Sequence, residues 1–158
     1  MPRSLGRELP DVLRSLLDGR DLSSKVGETF LLLTTDENGW PHMAMLSVGE
    51  LLARDARTLE AALWLHSTAT RNLDRDGRGL LAMVADGAGF YVRLTAQRVA
   101  DLDFGQDGRL ARFDLQIEDV QEDRVDYARL TAGITFELPD KQAVVARWQH
   151  TIEALRQP

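Results

Sequence analysis

The chain has no cysteine among its 158 residues. Disulfides, a thiol nucleophile and a thiolate metal site are excluded by that one absence. Histidine is scarce too: His42, His66 and His150 lie far apart and without carboxylates at ligand spacing, so no metal site is expected. Basic residues number 19 against 25 acids and form no stripe, and with a formal net charge of -6 the chain is not expected to bind nucleic-acid phosphates. No apolar run approaches a membrane span, and the basic residues near Met1 precede no apolar signal region. A soluble, cytoplasmic protein is the expectation. Repeats, low-complexity tracts and interior shifts of composition are also missing, and 44% hydrophobic residues suffice for one sizeable core, so a single domain over residues 1–158 is expected.

What the chain does have is a succession of short apolar runs punctuated by turn residues. Residues 9–19 carry Val12, Leu13, Leu16 and Leu17 at helical spacing, with Pro10 in the first turn and Gly19 past the end. Residues 30–33 are continuously apolar, and Asp36, Asn38 and Gly39 then supply a hairpin turn into the run 41–53. That run is long for one strand, and Gly49 inside it predicts a bulge or the close approach of another backbone. Strands are predicted over 58–65, 78–85, 90–102 and 113–118, and a final strand over 134–137, where Ile134 and Phe136 alternate with Thr135 and Glu137. A short helix over 68–75 ends at Gly77, and a terminal helix starts from Asp140 with Val144, Val145, Trp148, Ile152 and Leu155 on one face. Six or seven antiparallel strands with flanking helices describe a mainly β protein, a small barrel rather than a βαβ fold.

The chemistry is expected where residues 63–65 run into the polar turn that opens the 68–75 helix. Ser67, Thr68 and Thr70 can cap that helix and offer hydroxyls, Arg71 carries a forked cation, and the first N–H groups of a helix favour an anion. A phosphate fits there. From these residues alone, a capped surface helix with a solvated arginine fits as well. Met43 and Met45 can pack against an aromatic ring or against the core, and Trp40, Trp64 and Trp148 can be interface anchors or core, with Trp148 the preferred contact between subunits.

Gly39-x-Pro41-His42 before an apolar strand, then Leu65-His66-Ser67-x-x-Thr70-Arg71-Asn72-Leu73, then Gly77-Arg78 before another strand, resembles the FMN-binding split-barrel family that includes pyridoxamine 5'-phosphate oxidase. The resemblance implies a split β-barrel, a homodimer with FMN at the subunit interface, and oxidoreductase chemistry on a small-molecule substrate or electron donor. It places Ala44, Met45, Leu46 and Ser47 along the flavin ring, Leu65 and His66 against the flavin, and Thr70, Arg71 and Asn72 at its phosphate, where Ser67 adds a hydroxyl. Ala44, Gly49 and Asn72 stand where the oxidase has basic residues, so pyridoxamine phosphate is not predicted as the substrate. A non-catalytic flavin-binding or sensing module, or a protein using F420 or haem, is the alternative, although few cations are present for the polyanionic tail of F420. No catalytic residue is assigned.

Overall fold

The computed structural model describes residues 1–158. Its main feature is a sheet of eight antiparallel strands. Strand β1 (Arg3–Ser4) precedes helix α1 (Asp11–Leu16), and β2 (Phe30–Thr35) and β3 (Pro41–Leu46) form the expected hairpin. The Asp36 carboxylate accepts from the N–H groups of Asn38 and Trp40, and Gly39 takes the positive φ of 85° that the turn requires.

The run 41–53 divides at residues 47–50, leaving β4 (Leu51–Ala53) as a separate short strand. Strand β5 (Thr58–Trp64), helix α2 (Thr68–Asp76), β6 (Arg78–Ala85), β7 (Ala88–Asp103), β8 (Arg109–Asp123) and helix α3 (Lys141–Arg156) complete the order. No helix is long and apolar enough to cross a membrane.

Hydrogen bonding runs β3-β2-β6-β7-β8-β5-β4, with β1 added to the far end of β8. The two outer strands of this path, β3 and β4, are joined by only the residues 47–50, so the sheet curls until its ends meet. They do not pair with each other, and the barrel stays split along that line. Long β7 and β8 serve both halves, and register shifts at Arg93/Leu94 and Val99/Leu102 let them bend. Inside lies one cluster of 32 buried apolar residues, with Phe30, Phe90, Phe113, Leu59 and Ile117 among the most enclosed.

Two expectations are corrected. Residues 124–139 contain no strand: β8 already has β7, β5 and β1 beside it, and the segment makes only isolated contacts, such as the Leu130 N–H donated to the Gly87 carbonyl. Its alternation buries only one side partly, where Phe136 meets Trp148 edge-on at 6.4 Å. Trp148, expected at a contact between subunits, turns inward instead. It is 6% exposed and packs inside the chain.

A candidate cofactor cleft at the split of the barrel

Strand β4 is too short to cover all of β5. Its pairs end at Leu51 with Ala61, and the last rung is the Ala62 N–H donated to the Glu50 carbonyl at 2.9 Å. Beyond it, Leu63 and Trp64 have a neighbour only on the β8 side, and across the split lies the free edge of β3. The gap is a cleft of about 250 Å³, walled by Ala44, Met45 and Leu46 from β3, Ala62, Leu63 and Trp64 from β5, Glu50 from the turn, and Ser67 and Ala69 from the start of α2. Trp64 is 80% exposed and Met45 59%, so the mouth presents an apolar surface to the outside.

Helix α2 closes one end. Ser67, in extended conformation, caps it by accepting from the Thr70 N–H at 3.1 Å. Thr70 is buried: its hydroxyl donates to the Trp64 carbonyl at 2.7 Å and lies 3.0 Å from the Ser67 hydroxyl. The Ser67 N–H also donates to the Trp64 carbonyl, so the last residue of β5 and the first turn of α2 are tied together. Gly77, in left-handed conformation, ends the helix as expected.

Of the residues expected at the site, Ala44, Met45, Leu46 and Ser67 share the cleft. Leu65 and His66 fall past the end of β5, Leu65 against the core and His66 on the surface. Arg71 is exposed, and its guanidinium donates to the His66 carbonyl at 2.6 Å and the Thr68 hydroxyl at 3.1 Å. Asn72 is 2% exposed and points the other way: its amide donates to the Thr34 hydroxyl and accepts from Arg75, which pins α2 to β2. Ser47 is buried, and its hydroxyl and N–H are occupied by the turn that follows it.

That turn holds the residue that sequence reasoning missed. Glu50 is the one ionisable side chain lining the cleft. Burial pushes its carboxyl above the ordinary carboxylate range, against the opposing effect of the Ser47 N–H and hydroxyl and of the charge on Arg147. A single acid inside the apolar run 41–53, one position after a glycine, was the available signal.

The class of fold is that of split barrels of the pyridoxamine 5'-phosphate oxidase type. A pyridoxamine 5'-phosphate oxidase-like protein of Lactobacillus delbrueckii superposes with a TM-score of 0.57 over 75% of this chain and 98% of its own, at 19% identity. An FMN-binding protein of Syntrophomonas wolfei gives 0.50 over 72% and 89%, at 21% identity. An F420 reductase gives 0.51 over 71% and 98%, at 11% identity. At these identities the likeness is one of fold. No family model matches the sequence. The chain is 36% identical over 148 residues to the uncharacterized protein YclD of Bacillus subtilis (strain 168), covering 94% of this chain and 96% of that protein, and it belongs to the same family.

Proposed function

We propose that this protein binds FMN in the split between β3 and β5 and acts as a flavin-dependent oxidoreductase on a small-molecule substrate or electron donor. One observation carries the reading: an apolar cleft between two free strand edges opens onto the capped start of α2. Its apolar walls suit an aromatic tricycle, and the unpaired edge of β3 offers N–H and C=O groups to the ring's polar rim. At the other end, the first N–H groups of α2 and the Arg71 guanidinium suit a phosphate. Arg71 is engaged by one carbonyl and one hydroxyl, and a guanidinium has five N–H donors, so donors remain for an anion.

A volume of about 250 Å³ is small for a complete ligand pocket, for which roughly 300–1,000 Å³ is usual. With Trp64 and Met45 largely exposed at the mouth, the missing wall is assigned to a second copy of the chain, in a homodimer with the cofactor at the interface. FMN bound there supplies hydride or electron transfer. The protein's part is to hold the phosphate, lay the ring along β3 and keep water from it.

A second reading is a non-catalytic protein that binds or senses flavin, F420 or haem. It is favoured by a cleft whose only ionisable side chain is Glu50 and which has no histidine or lysine. The same lack of cations weighs against the polyanionic tail of F420. Titration of FMN, followed by its fluorescence, tests the binding: Arg71→Ala is expected to weaken it by about 1.5–3 kcal/mol. Unchanged affinity would mean that the phosphate is held elsewhere. Consumption of a nicotinamide donor by the flavin-loaded protein separates an enzyme from a carrier.

A further inference from the structure

Two glutamates flank the split of the barrel, Glu60 fully buried and Glu50 half-buried in the cleft, and they are treated differently. Glu60, with no exposed surface, is met by two arginines: Arg112 donates to it from Nε at 3.0 Å, and Arg54 from Nε at 3.2 Å. Glu50 takes part in none of the chain's ion pairs. A carboxylate partly withdrawn from water is costly unless it is paired, and Glu50, with only the Ser47 donors and the more distant charge of Arg147 facing it, has room for a partner that arrives from outside.

The unused capacity can be counted. The Glu50 carboxylate accepts from the Ser47 N–H at 3.3 Å and the Ser47 hydroxyl at 3.2 Å. A carboxylate accepts about four hydrogen bonds, which leaves about two positions. Those two bonds and the Glu50 N–H donated to the Ser47 carbonyl at 3.2 Å fix the side chain in a tight turn. The neighbouring walls are apolar, with Ala44 and Leu46 from β3, Ala62 on the rung beside Glu50, and Met45 and Trp64 at the mouth. No side chain other than Ser47 donates to Glu50, and Arg147 acts on it only through its charge, without an ion-pair contact.

The two ends of the cleft therefore differ in sign. The α2 end favours an anion, whereas the Glu50 end places a negative group in a poorly solvated setting, where a second anion is repelled and a cation with N–H donors is attracted. The exposed indole of Trp64 adds an aromatic face of the kind that attracts organic cations.

We infer that Glu50 is the recognition group of a subsite for a small organic ammonium, and that carboxylates and phosphates are excluded from that end of the cleft. The inference deepens the reading of the split as a flavin site by giving the substrate class. It rests on that reading only for the assumption that the cleft is where ligands enter.

The test is a titration of the full-length chain with benzylamine, charged at pH 7, and with benzoate, each followed by the indole N–H resonance of Trp64 and repeated with FMN at saturation. The Trp64→Phe variant assigns the resonance. Benzylamine is expected to shift it saturably and benzoate not, and Glu50→Gln is expected to weaken benzylamine roughly tenfold or more, the loss of a hydrogen bond to a charged group. Benzoate binding as well as benzylamine, no shift with either compound, or an unchanged benzylamine affinity in Glu50→Gln overturns the subsite. The comparison of the two compounds on the unaltered chain stands even if the variant folds poorly. If FMN fails to bind while the amine still discriminates, the flavin reading falls and the subsite remains; if FMN binds and the two compounds do not differ, the subsite falls alone.

Discussion

The indole of Trp148 occupies the space where a side chain at Gly49 would begin: a Cβ built there would lie 2.0 Å from the Trp148 Cγ. Helix α3 thus closes on the turn between β3 and β4, and the same turn places Glu50 in the cleft. Gly49→Ala is expected to force that packing apart, at about 1–3 kcal/mol. Trp148→Ala is expected to cost about 3–5 kcal/mol. Denaturant midpoints of the two single variants and the double variant check the contact: in the double variant the alanine meets no indole, so the two costs should not add.

Arg112 ties the end of α3 to the barrel. Besides Glu60, it donates to the Leu155 carbonyl at 3.1 Å and the Gln157 carbonyl at 2.7 Å, groups that no further helical turn satisfies. Arg112→Ala removes a partner from a fully buried carboxylate and exposes these carbonyls at one stroke. A loss of about 3–5 kcal/mol is expected, toward the lower figure because Arg54 still reaches Glu60. Hydrogen exchange should speed up first over the last turn of α3.

Glu50 gives stability a pH dependence with a definite sign. Its folded pKa lies above the unfolded value, chiefly because burial disfavours the charged form, with the Ser47 donors and the Arg147 charge opposing. The folded state therefore binds the proton more tightly, and the associated stability is present below the unfolded pKa and lost as pH rises through the folded one. Glu50→Gln mimics the protonated group. It is expected to melt higher than the unaltered protein at pH 7, with the gap closing toward pH 4.5 and below, near the ordinary value for this group. A higher melting temperature for the unaltered protein at pH 7 would contradict the unpaired carboxylate.

Asn72 is expected to matter to the fold more than to the ligand. Its amide joins α2 to Thr34 inside the protein, so Asn72→Ala leaves a buried hydroxyl without its partner, at about 1–3 kcal/mol. Thermal melting checks this, and FMN affinity measured on the folded fraction should fall less than in Arg71→Ala.

Much of this architecture was legible in the residues. Alternation and Gly77 locate α2 and β6, the Asp36-to-Gly39 turn gives the first hairpin, and Gly49 announces a close approach, although the neighbour proves to be an indole rather than a backbone. Ile134 and Phe136 misled because period-two alternation signals a strand only where a sheet edge is free to accept it, and β8 has none left. At the cleft, Ala44, Met45 and Leu46 followed from the family resemblance and Ser67 from its place as a helix cap. Glu50 did not, because its importance lies in what fails to pair with it, and pairing across the split is a property of the closed barrel alone. Asn72 sits next to Arg71 in sequence but on the buried rather than the exposed face of the helix, a distinction that spacing shows only once the direction of the core is known.

The most direct test of the flavin site is the visible absorption spectrum of the purified protein after incubation with FMN and removal of free ligand. Retained bands near those of free flavin, with vibronic structure sharpened by an apolar setting and stoichiometry of one FMN per chain, are the predicted result. A colourless protein, with no binding at micromolar FMN, would contradict it.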